Sequence, residues 1–300
     1  MLPPLQVIDF DPATPYPEVG VLRQALVRGD WPAVRGLWGR SDHATRSELL
    51  ASVDPLRDGD TTVIGAALAA DPADPVAAVF AARRLIAAAA PVRDPVEHDR
   101  LLVRAEALLS ATTARHPADV TAWEQRIVVA PPLGLGLDEC VRRYARLAAL
   151  APHHVPGQLA HLDALCPRDD GGWEPAHAFA RERMMAAPPG AHNGVLVAVA
   201  HLERFFRQPQ WDIRPLRDAR ERLYEAAHRS VWHPGFRRTA GWAYAVNVFA
   251  CAFALVSDRA AADGLFATIG PIATRRPWDR FAGHAGPGEN FRYLRGAIPR

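Results

Sequence analysis

Residues 114–126 read ARHPADVTAWEQR: one apolar helix runs out, His116-Pro117 intervenes, and a second amphipathic stretch begins. Proline has a fixed φ and no N–H to offer, so it is accepted in a helix's first turn and expelled from its interior. The same punctuation recurs at Asp71-Pro72, Ala151-Pro152, Ala187-Pro188 and His233-Pro234, about every 35 to 45 residues. Each pair marks a boundary. A rhythm of this length belongs to stacked helical hairpins, in which no hairpin buries its own apolar face and neighbours must cover it.

Outward from this stretch, apolar residues at helical spacing predict helices over 60–70, 75–90, 96–115, 118–130, 137–150, 155–165, 174–187, 190–206, 215–230, 235–256 and 258–268. Nearer the start, PEVGVLRQALVRGDWPAVRGLWGR predicts two short helices joined at Gly29-Asp30, with Asp30 placed to cap the second. Trp31 and Trp38 fall on its apolar face and belong to the core. A third helix, about 44–53, ends at Asp54-Pro55. Breaks are expected at 131–136, 167–172 and Gln208-Pro209. No stretch alternates with the period of two that a half-buried strand requires. The expected fold is therefore all-α: an irregular array of helical hairpins, an α-solenoid, over residues 18–269. An extended proline-rich arm, 1–17, precedes it, and a packed irregular tail, 270–300, follows.

Composition bounds the function. With 49% hydrophobic and 23% charged residues, the 300-residue chain is globular in character. All 35 basic residues are arginine, which with the Ala, Gly and Pro content fits a bacterial, high-GC coding bias before it fits any ligand. A net charge of +2 with both signs interspersed gives no sustained basic field, so no nucleic-acid partner is expected. Cys140, Cys166 and Cys251 are odd in number and far apart, as buried reduced thiols are. The N-terminal residues show no basic-then-apolar leader, and a cytoplasmic location is expected. Thr239 to Ser257 carries no charge over 19 residues, long enough to span a membrane. Asn247, Gly241 and six alanines within it favour instead a helix at the centre of a helical protein, and no membrane partner is expected.

RGDWPAVRGLWGR, residues 28–40, resembles the second half of a tetratricopeptide hairpin, and ARHPADVTAWEQR resembles the junction between two such repeats. His161-Leu-Asp-Ala-Leu, followed by Gly171-Gly-Trp-Glu-Pro-Ala-His-Ala-Phe-Ala180-Arg181, resembles a bacterial family of unassigned function with that fold. The repeat spacing departs from the tetratricopeptide length of roughly 34 residues. The resemblance implies binding of a protein or peptide.

Several constellations bear on chemistry. Leu-Ala-His161-Leu-Asp163 and Val-Ala-His201-Leu-Glu203 repeat one string 40 residues apart. In stacked hairpins they would form a row of His–carboxylate pairs on one surface, flanked by Trp123, Arg126, Trp173 and Arg204. Asn247 lies alone in an apolar run and must find partners, either a neighbouring helix or a cavity lined with Trp242 and Tyr244. Glu174-Pro-Ala-His177 and Glu225-Ala-Ala-His228 place Glu and His three apart on one helix face, half of a di-metal carboxylate site for Fe, Mn or Zn. Their plainer reading is solvated helix faces without a metal or other cofactor, Glu174 favouring the dipole of its own first turn. The tail string Arg275-Arg-Pro-Trp278-Asp-Arg280-Phe281 with Phe291-Arg292-Tyr293 is expected to pin the tail to the helical body. No nucleophile elbow, phosphate-binding glycine loop or paired-cysteine motif is present. The expected function is a non-catalytic scaffold or adaptor presenting a concave helical surface to a protein or peptide. The alternative is a small-molecule enzyme of specialised metabolism on the same fold, with a His/Glu metal site.

Overall fold

The computed structural model describes residues 7–53, 58–167, 172–208, 211–281 and 286–296. The first six residues of the expected arm, the break at Asp54-Pro55, residues 168–171, Pro209 and the tail at 282–285 and 297–300 lie outside the described residues. Every described element of any length is helical. They are α1 Pro17–Val27, α2 Trp31–Arg40, α3 His43–Ser52, α4 Asp58–Ala70, α5 Pro75–Ala89, α6 Pro95–Arg115, α7 Val120–Val129, α8 Leu137–Leu150 and α9 Val155–Leu165. There follow α10 Glu174–Ala186, a 3₁₀ turn His192–Gly194, α11 Val195–Arg207, α12 Arg214–Asp218, α13 Arg220–Arg229, α14 Trp242–Leu255, α15 Arg259–Ile269, the single turn α16 Arg275–Trp278 and α17 Pro287–Gly296. Among the described residues the one β feature is an isolated parallel bridge between Asp9 and Ile272.

The proline boundaries fall between helices, and aspartates start many of the segments they separate. Asp30, Asp42, Asp74, Asp94, Asp119 and Asp258 each accept from backbone N–H groups of the helix they precede, satisfying donors that the first turn leaves orphaned.

The chain divides into two compact units, one of Tyr16–Ala164 and one that joins Met1–Pro15 to Leu165–Arg300. In the first, consecutive helices pack as neighbours, α5 on α6, α6 on α7 and α7 on α8, with α3 also reaching α7. Its core includes Trp38, 5% exposed and packed on Phe80 at 5.3 Å between ring centres. Trp31 departs from the core position expected for it. It is half-buried, and its indole N–H is held by the Asp74 carboxylate at 2.8 Å.

In the second unit α14 sits against α11, α13, α15, α16 and α17. Being covered on all sides accounts for its uncharged sequence; no helix among the described residues is long and apolar enough to cross a membrane. The helix begins at Trp242, seven residues later than the pattern suggests, because Gly241 takes φ +88° at its N-cap. The expected helix 215–230 is broken at Ala219, whose ψ of 2° separates α12 from α13. The tail is less irregular than expected, since α16 and α17 lie within it. Trp278 and Phe291 are fully buried against Phe266 and pin it in place. All three cysteines are buried, and none forms a disulfide.

Candidate functional site

Helical spacing on α10 brings Glu174, His177, Arg181 and Met184 to one face, and on α11 it does the same for Val197 and His201. α11 packs on both α10 and α13, and Arg222 and Glu225 of α13 complete a cleft of about 140 Å³. The start of α11 approaches α13 closely at Gly194. A Cβ there would lie 2.5 Å from the carbonyl oxygen of Ala226 and 2.6 Å from Oγ of Ser230, so only glycine permits this spacing.

At the cleft His177 and His201 stack, ring centres 4.2 Å apart and planes 26° from parallel. Trp173 stands beside His177 at 6.1 Å. Burial lowers the pKa of His177 to about 4, helped by the Arg204 and Arg222 charges and opposed by Glu174. Burial lowers that of His201 to about 3, with His177, Arg222 and Arg204 acting in the same sense. Both rings are therefore neutral at pH 7. Nδ1 and Nε2 of His177 and Nδ1 of His201 are buried without a hydrogen-bond partner. Across the rim Arg181 reaches Glu225 at 3.3 Å.

This cleft joins residues that the sequence placed in two different schemes. Glu174, His177 and Glu225 came from the metal reading and His201 from the His–carboxylate row; Arg222 carried no sequence signal. The metal constellation itself is not assembled. His228 is exposed and lines an adjoining shallow depression with Arg220, Glu221, Tyr224 and Glu225, the last of which faces the cleft as well. Stacked rings also cannot share an ion, because a metal must lie in the plane of each imidazole along its nitrogen lone pair. Among the described residues no group of three or more His, Cys, Asp and Glu is placed to hold a metal.

The expected row on one surface is not presented. His161 and His201 are each 4% exposed, and His161 stacks on Tyr144 at 4.4 Å while His201 stacks on His177. Asp163 is exposed, whereas Glu203 is buried and paired with Arg207 at 3.1 Å and Arg280 at 2.9 Å. The equivalence fails because the tail brings Arg280 over Glu203. Trp123 and Arg126 meet at 5.0 Å, but Arg126 is engaged by Glu106 at 2.9 Å in a network with Arg143 and Glu139. Arg204 is half-buried next to the cleft. Asn247 is buried and paired within the fold: its amide donates to the Ala243 carbonyl at 2.8 Å and accepts from the Trp278 indole at 2.7 Å. Trp242 is buried under Arg238, and burial raises the pKa of Tyr244.

A second buried cluster has the composition of a hydrolytic triad and the wrong connectivity. Ser47 donates to Oε2 of Glu124 at 2.5 Å, and the same oxygen meets Nε2 of His154 at 2.7 Å. A nucleophilic triad needs the acid on one imidazole nitrogen and the serine on the other. Here a single carboxylate oxygen serves both, and Gln125 donates to its second oxygen at 2.9 Å. Glu124 is thus a hub tying α7 to α3 and to the turn before α9.

The described residues are all-helical in their regular elements, and the cleft between α10, α11 and α13 sets two histidines, two arginines and two glutamates beside apolar side chains. No protein-family model matches the chain. It is similar to the probable magnetosome protein Mms48 of Magnetospirillum gryphiswaldense, 28% identical over 230 residues, which take in 74% of this chain and 48% of that protein. The chain spans about half the length of this relative.

Proposed function

We propose that the protein is a non-catalytic, cytoplasmic helical scaffold of tetratricopeptide-like hairpins that binds a protein or peptide partner. The observation that carries this reading is the outer face of α8. Its inner face buries Cys140, Arg143, Tyr144 and Leu147. A solvated helix face is normally polar, yet Leu137 is 49% and Val141 46% exposed one turn apart, and exposed Ala145 and Ala149 continue the stripe. Asp138, Arg142 and Arg146 border it, all exposed, with Arg142 paired to Glu139. An apolar stripe with a border of mixed charge suits a partner helix with an apolar face and a polar rim.

The enzyme alternative draws less support from the cleft. A general base works best with a pKa near the working pH, and burial holds both histidines far below it. No hydroxyl or thiol lines the cleft.

The test is the double substitution Leu137→Glu/Val141→Glu in the source cell. Both positions are exposed, so the thermal midpoint should stay unchanged while a stoichiometric partner of the tagged wild type is lost. Equal recovery of the partner would overturn the reading, as would a wild-type homodimer that the substitutions turn into a monomer.

A further inference from the structure

We propose that the cleft between α10, α11 and α13 binds a short-chain carboxylate, held by Arg222 and the His177–His201 pair, with its hydrocarbon end against Met184 and Val197. Four observations carry this beyond the partner-binding reading, which rests on another helix in the other unit and stands or falls separately.

The first is unmet hydrogen bonding. Native interiors satisfy nearly all buried polar atoms, yet three imidazole nitrogens here have no partner, one of them on His201, a residue only 4% exposed. The second is positive charge beside the rings, where the Arg204 and Arg222 guanidinium groups both act on His177 and His201, Arg222 from an exposed position. Arg181 is occupied by Glu225. Arg222, by contrast, makes no ion pair among the described residues, and Nε of Arg204 is buried without an acceptor. Two guanidinium groups thus act on the cleft against one uncommitted carboxylate, the exposed Glu174.

The third is the kind of atom that is missing. Each neutral imidazole offers one N–H and one lone pair, and guanidinium offers only donors. The Glu174 carboxylate stays exposed and no acceptor oxygen meets the buried imidazole nitrogens; a ligand carboxylate brings two, matched to the fork of an arginine. The fourth is shape. Ala178, Ala180, Met184 and Val197 make part of the wall apolar, and about 140 Å³ admits an acyl chain of only a few carbons. Inorganic phosphate would meet the donors and leave this wall uncovered, while the stacked rings cannot both ligate one metal ion.

The experiment titrates the full chain, labelled with ¹⁵N at histidine, with acetate, butyrate, butyramide and inorganic phosphate near neutral pH. Butyrate should shift the ring nitrogens of His177 and His201 saturably and bind more tightly than acetate, with butyramide and phosphate inert. Arg222→Gln, at an exposed position, should keep the thermal midpoint and weaken butyrate about tenfold. Absence of a saturable shift with butyrate, tighter binding of phosphate, or an affinity that Arg222→Gln leaves unaltered would each overturn the proposal.

Discussion

At the scale of single residues, the buried polar groups are the most exacting. Glu124 is 5% exposed and accepts from Ser47, His154 and Gln125. Replacing it by alanine removes one partner from each and leaves them buried. Glu124→Ala is expected to cost about 3 kcal/mol, read as a lower urea midpoint with an unchanged slope. An unaltered midpoint would show that water reaches the cluster. Asn247 was legible in sequence as an amide that must be paired. Its partner Trp278 was not, because the two are separated by 31 positions and meet only when the tail folds back.

At the scale of helices, local chemistry goes far. Proline at the first turn, aspartate before it and apolar residues every three or four positions placed most helix ends within a few residues of those observed. The misses share a cause. Gly241 and Ala219 break patterns that remain helical in composition, because α14 must start where it can be enclosed and α13 must turn to meet α11. Two predictions belong here. Trp38→Ala empties a site on the buried face of α2, and its cost should be about 3–5 kcal/mol by chemical denaturation. Gly194→Ala forces α11 from α13 and should destabilise the protein by about 1–3 kcal/mol. The same change should shift the His177 and His201 ring resonances, since that spacing sets the cleft. If those resonances kept their positions, the close approach at Gly194 would not support the site.

At the scale of the molecule, buried neutral histidines make stability depend on pH. His201 is lowered to about 3 and His161 and His177 to about 4, all by burial first, against an ordinary 6.5. Below pH 6.5 the unfolded chain takes up protons that the folded chain refuses, so stability falls as pH drops toward 4. The thermal midpoint should therefore decline from about pH 7 to about pH 5, and His201→Gln should make that decline shallower. A flat profile for the wild type would show that these rings are charged or hydrated in the fold. What the sequence by itself determined is the all-helical class, most of the helix boundaries, the buried thiols and the anchoring of the tail by its aromatics. These follow from short-range rules: proline's missing N–H, aspartate capping and the helical period. Only the tertiary structure decided which histidines meet. The repeated Ala-His-Leu-acid strings suggested a shared environment for His161 and His201. Burial of each depends instead on the helix packed against it, α8 bringing Tyr144 to one and α10 bringing His177 to the other, and a contact between helices has no period in sequence to be read.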